Sequence, residues 1–164
     1  MAGRQQKQQQ ESQESREAAM EAYERFLEEA RGEPIKYLKH DTKAHDDEAL
    51  YRLVAEHGME WYGWYWLLVE LLASRKGHSY DVSDDAGWRR LAHDMSCMAD
   101  ISVDDCQLLV MQLAHLELVD RDYLSELHKV SIRRVRHDAE SYAEEVAKKK
   151  LGAWKTNRRR MFGL

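Results

Sequence analysis

The residues best suited to chemistry gather near position 40. His40-Asp41 and His45-Asp46 lie close together, and Glu70 follows inside an apolar run. Imidazoles and carboxylates of this kind can hold a divalent cation, and the cation can activate water for hydrolysis. Their spacing matches no established metal motif. His40-Asp41 also lacks the pattern of distant His and Asp that accompanies this dipeptide in metal phosphohydrolases. The structural reading is that His40 and Asp41 make buried hydrogen bonds that anchor this lead-in segment. Glu70 is then their natural partner, because a buried carboxylate must be paired. No Gly-rich phosphate loop, nucleophile elbow or Cys/His zinc spacing is present. The sequence therefore predicts a non-enzymatic protein with no catalytic residue, no metal and no cofactor.

Charge gives a second kind of chemistry. The 164-residue chain carries a net charge of −5, unevenly distributed. Residues 1–34 are net −3, residues 35–128 net −9 and residues 129–160 net +7. An anionic partner would therefore meet the C-terminal region. Lys129, Arg133, Arg134 and Arg136 begin this region, and Lys148, Lys149, Lys150, Lys155, Arg158, Arg159 and Arg160 continue it. Trp154, between the last two clusters, could stack on a base or anchor the tail. The same charges could instead bind an acidic protein, bind the acidic body of a neighbouring copy, or solvate a helix.

These residues must be positioned by helices. The single proline, Pro34, and the few glycines point to a mainly α fold. Residues 1–16 are Gln-rich and almost free of apolar side chains, so the expectation is a disordered polar tail. Residues 17–34 read as a helix ended by Gly32 and Pro34. Its face of Ala19, Tyr23, Phe26 or Leu27, and Ala30 would dock on the domain or make a dimer contact. Residues 35–128 read as the domain proper and residues 129–164 as a basic helix and tail. Within the domain, Asp46 or Asp47 can cap a helix ending near Gly58. Residues 78–82 suggest a short strand. Ser83 or Asp84 opens a helix running to Met98, and Ser102-x-x-Asp105 opens the next. Residues 116–119 and 123–124 read as two strands about a polar turn.

Between Gly58 and Leu72 stand Trp61, Tyr62, Trp64, Tyr65 and Trp66, with Leu68 and Leu72 continuing the helical stripe. Aromatic side chains bury roughly 150–250 Å² each, so this helix is the expected packed centre. Gly63, costing about 1 kcal/mol against alanine in a helix, would serve to let another backbone approach. Cys97 and Cys106 form no metal or redox spacing and read as buried, reduced thiols of a cytoplasmic protein. No segment has transmembrane length, so no membrane partner is expected.

The run His40-Asp41, Asp46, Gly58 and Tyr62-Gly63-x-Tyr65-Trp66-x-Leu68-x-Glu70 resembles the N-terminal domain of phage and prophage replication-initiation proteins, of the replisome-organiser or primosome type. A Leu91-Ala92 helix, a helix ending in Leu116-x-Leu118, a hairpin and a basic tail agree in order. The resemblance spans residues 35–145. It implies a winged helix-turn-helix domain with a small β-hairpin wing that binds DNA or assembles replication proteins. Both a complete initiator and a stand-alone regulator remain open.

In such a domain residues 103–116 would be the helix offered to the major groove. Gln107 and Gln112 could contact bases there, while Asp104 and Asp105 would repel phosphate. The expected partner is DNA, held mainly by the basic residues above. A protein adaptor that recruits replication proteins through the domain body is the alternative.

Overall fold

The computed structural model describes residues 2–38 and 43–162. His40 and Asp41 lie outside the described residues, as does any structural role for them. The chain is mainly helical, with one small antiparallel sheet. Its helices are α1 (Ala2–Ala30), α2 (Glu48–His57), α3 (Met59–Ala73), α4 (Asp85–Ser96), α5 (Val103–His115), α6 (Arg121–Leu127) and α7 (Arg133–Phe162). The strands are β1 (Tyr80–Asp81) and β2 (Lys129–Val130). Two compact units result. One comprises residues 34–139, and the other joins residues 1–33 to residues 140–164. No helix among the described residues is long and apolar enough to cross a membrane.

In the 34–139 unit, helix starts follow the capping chemistry of the sequence. Asp47 accepts the amides of Ala49 and Leu50 at 2.9 and 3.1 Å, and Asp84 accepts that of Gly87 at 2.7 Å. Ser102 Oγ accepts the Asp105 amide at 3.1 Å and donates its proton to the Asp105 carboxylate at 2.6 Å. Gly58, at φ 91°, joins α2 directly to α3 in a conformation that glycine alone adopts without strain. The core is assembled from Leu53, Leu68, Leu72, Leu91, Met95, Leu109, Leu113, Val130 and Ile132, all essentially inaccessible. The Ile35 amide donates to the Ala73 carbonyl at 2.9 Å, tying the start of the unit to the end of α3.

The aromatic helix is less central than its composition suggests. Tyr65, Leu68, Val69, Leu72 and Ala73 are buried, but Trp61, Trp64 and Trp66 are only half-buried. Trp61 stacks on His57, with ring centroids 3.9 Å apart. Glu70 is exposed, on the side away from that core, and so is not the buried carboxylate expected of it. One face of α3 meets the other helices, which leaves the wide indoles at its margins. Cys97 is exposed just beyond α4, whereas Cys106 is buried and its thiol is pushed up to about 12 by burial.

The expected hairpin at 116–124 is replaced by a turn and a helix. Leu116 ends α5, Glu117 takes a positive φ of 62°, and Asp120 caps α6 through the amides of Asp122 and Tyr123. N-cap chemistry outweighs the β-propensity of Leu118, Val119 and Tyr123. The sheet pairs distant segments, Tyr80 with Val130 and Asp81 with Lys129. Val82 N adds a hydrogen bond to His128 O at 2.8 Å. On the α4 side, Tyr80 donates its hydroxyl proton to Asp94 at 2.7 Å, while Arg75 lies 3.9 Å over the Tyr80 ring.

In the other unit, α1 begins at Ala2, so residues 2–16 continue the helix where a disordered tail was expected. Gln, Glu, Lys and Arg are good helix formers, and nothing between Gln5 and Arg31 interrupts them. Ala22, Ala30, Ala143 and Ala147 are buried between α1 and α7. Arg31 donates twice to Glu140, at 2.9 and 3.2 Å, and Lys150 reaches Glu29 at 2.9 Å, so the two helices run antiparallel. The 34–139 unit thus includes the first residues of α7, up to Ala139.

Two glycines separate by environment. A Cβ on Gly63 would meet nothing within 4 Å, so no backbone approaches it closely. A Cβ on Gly87 would collide with the Asp81 carbonyl oxygen and stand 2.9 Å from Val82 Cα. Gly63→Ala is therefore expected to stabilise the chain by about 1 kcal/mol, by helix propensity alone. Gly87→Ala should cost about 1–3 kcal/mol through overpacking. Urea unfolding at neutral pH measures both, and equal effects would contradict the packing described.

Candidate nucleic-acid interface

The cations expected to meet an anionic partner fall into three groups. The first is structural. Arg136 donates to the Asp120 carboxylate at 2.6 Å and to Ser131 Oγ at 2.7 Å, with its guanidinium 4.0 Å over the Tyr123 ring. The Asp120 side chain is only 6% exposed, whereas that of Arg136 is 28% exposed, so the carboxylate is the shielded member of the pair. Its carboxyl is held below the usual carboxylate range, first by the hydrogen bond from Arg136 and opposed by burial. Arg121 donates to the carbonyls of Ala114 and His115 at 2.7 and 2.8 Å, closing the C-terminus of α5. Arg121 was not picked out in the sequence. Its only signal there is a basic residue shortly after a helix end.

The second group lies around the N-terminus of α7. Arg134 sits 5.3 Å over the Trp66 ring and 3.8 Å from Asp138. Arg133 is 83% exposed at its side chain and reaches no closer than 3.9 Å to Asp120. Lys129 is half-buried in β2, opposite Asp81. Basic side chains in a helix's first turn oppose its macrodipole, so this end gains nothing from the helix field.

The third group is the later part of α7. From Lys148 to Arg160 there are seven Lys and Arg and no Asp or Glu. Lys148 pairs with Glu144 at 3.2 Å, and Lys150 pairs with Glu29 and lies 5.7 Å from the Phe26 ring. Lys149, Lys155, Arg159 and Arg160 are exposed and have no ion-pair partner among the described residues. Lys148, Lys155 and Arg159 recur at seven and four residues, one line along the helix. At a rise of 1.5 Å per residue they stand about 10 and about 6 Å apart. Ala143, Ala147 and the half-buried Trp154 occupy a different face. Arg158 lies 5.2 Å over the Trp154 ring, on one of the two faces on which a base could stack.

The expected recognition helix has a different character. Gln107 and Gln112 are half-buried flanks of α5, and its exposed residues include Asp104, Asp105, Leu108, Met111 and His115. Beside it opens a groove of about 700 Å³ lined by Val82, Trp88, Met111, Ala114, Leu124 and His128, among others. The exposure of Leu108 and Met111 was not anticipated, because adjacent leucines at 108 and 109 leave the inward face of a helix ambiguous. Asp46 is exposed and Glu70 lies on exposed α3 surface, and no cluster of metal-ligating side chains occurs among the described residues. Compared with known families, characterised proteins and solved structures, the chain matches none.

The structural and the open cations can be told apart by stability. Arg136→Ala leaves the Asp120 carboxylate without its charged donor and should cost about 2 kcal/mol at neutral pH. Lys149→Ala or Arg160→Ala should change stability by less than about 0.5 kcal/mol. Because the folded Asp120 carboxyl is depressed, its contribution is complete above the unfolded value. It falls away as pH drops through the folded one. The stability gap between the wild-type chain and Asp120→Asn should accordingly shrink on acidification below about pH 4. A gap unchanged by acid would contradict the pairing.

Proposed function

We propose that this chain is a non-enzymatic DNA-binding protein that holds the phosphate backbone with the basic end of α7. It would act in replication initiation or its regulation, as the resemblance to phage and prophage initiation domains implies. The observation that carries the reading is the run of seven cations without a carboxylate over residues 148–160, with four of them exposed and unpaired among the described residues. The order α3, β1, α4, α5, β2, with the two strands paired, supports a winged-helix body in which α6 stands where a hairpin wing would be. Binding of this kind releases counterions and carries little sequence information. The acidic start of α5 and its half-buried glutamines favour phosphate contact over base reading. Leu108 and Met111 favour a second reading, in which the body docks a protein.

The test is fluorescence anisotropy with short duplex and single-stranded DNA across a salt series. If about six phosphates are engaged, log affinity should fall against log salt with a slope near −5 on duplex DNA. Reversing Lys149, Arg159 and Arg160 to Glu should remove roughly three units of that slope. An unchanged slope would move the contact elsewhere, and no binding at low salt would end the DNA reading.

A further inference from the structure

The outward face of α5 holds no lysine or arginine. Asp104, Leu108, Met111 and His115 recur at spacings of four, three and four, which makes one stripe along the helix. Leu108 is 50% exposed and Met111 59%, adjacent apolar side chains in the middle of that stripe. Gln107 and Gln112 flank them, both half-buried. Isolated apolar residues on a surface are ordinary, but neighbouring ones beside a groove whose walls join Val82, Trp88 and Leu124 to Arg121, Ser125 and His128 mark a contact site.

The stripe is complementary to itself. A twofold axis crossing the helix between Leu109 and Val110 exchanges position 104 with 115, 107 with 112, and 108 with 111. Acid then meets imidazole, amide meets amide, and leucine meets methionine. A parallel pairing would instead set the Asp104 carboxylates against one another. A twofold contact requires this relation, in which residue i touches j and j touches i. An apolar centre with polar ends is also the usual composition of a homodimer contact.

We propose that the chain forms a twofold dimer in which α5 packs antiparallel on α5 of a second copy. Leu108 and Met111 of the two copies interleave at the centre, and each Asp104 lies against the other copy's His115. The groove walled by Trp88, Met111, Ala114 and Leu124 gives the incoming apolar side chains room at its edge. The contact occupies the helix that a winged-helix protein would offer to DNA, which fits a helix with two aspartates in its first turn and no lysine or arginine of its own. It stands apart from the DNA reading, since no α7 residue takes part.

Sedimentation equilibrium of the full chain, from about 1 to about 200 µM, tests the proposal. A monomer–dimer equilibrium is expected, and Leu108→Asp or Met111→Asp should weaken it at least about tenfold while leaving the thermal unfolding transition in place. Asp104→Lys should weaken the dimer too. Adding His115→Asp to Asp104→Lys should restore it, because the antiparallel register again brings opposite charges together. A chain that stays monomeric throughout overturns the proposal, as it would if the α5 face served a different protein. A dimer indifferent to Leu108→Asp and Met111→Asp overturns it equally, as does failure of the double charge exchange to restore association.

Discussion

The Asp120 carboxylate is the point on which the 34–139 unit depends. One oxygen accepts two backbone amides at the start of α6, and the other accepts the Arg136 guanidinium from the first turns of α7. The Asp120 amide donates to the Ser131 carbonyl at 2.9 Å, and Arg136 also donates to the Ser131 hydroxyl. Through its carboxylate Asp120 thus ties the start of α6 to the beginning of α7, and through its amide it holds the exit of β2. A buried carboxylate is tolerated only with such saturation, and removing any donor leaves charge in a poorly solvated place. The arrangement sets where α7 begins, and so which of its basic residues belong to the body.

This constraint changes how the cations are understood. A count of positive charge from residue 129 onward treats all eleven Lys and Arg alike. Geometry divides them. Arg136 is committed to Asp120 and Arg134 to Trp66 and Asp138, Arg133 is largely exposed, and beyond residue 147 four of the seven cations are exposed with no ion-pair partner among the described residues. An anionic partner meeting those four would not have to break an ion pair to a shielded carboxylate first, whereas one meeting Arg136 would.

What was legible in the sequence was local. Asp47, Asp84 and Ser102 announced their helices because a cap acts within three residues of itself, and Gly58 marked a junction that only its own φ decides. What was not legible depended on distant partners. The β1–β2 pairing joins residues about fifty positions apart, and Asp120 reads as a turn residue until Arg136 is seen beside it. The tryptophans of α3 misled in another way. Their size implied burial, but a single helix face can be enclosed without its margins. For the candidate interface, the basic residues were visible as composition, whereas their sorting into committed and open charges needed the carboxylates of other elements. The outward turn of Leu108 needed the packing of Leu109 and Leu113.

The short helix α6 has a consequence for local stability. It has seven residues, none of them fully buried, which is below the length at which a helix persists on its own. It exists because Asp120 caps its start and Arg136 lies over Tyr123. Among the body's helices it is therefore the one whose opening costs least, a unit that can unfold while the core stays intact. Leu124 and Ser125 form one wall of the groove beside α5, so that opening would also widen the groove. The shape of this surface is thereby linked to the ionisation of a single carboxylate.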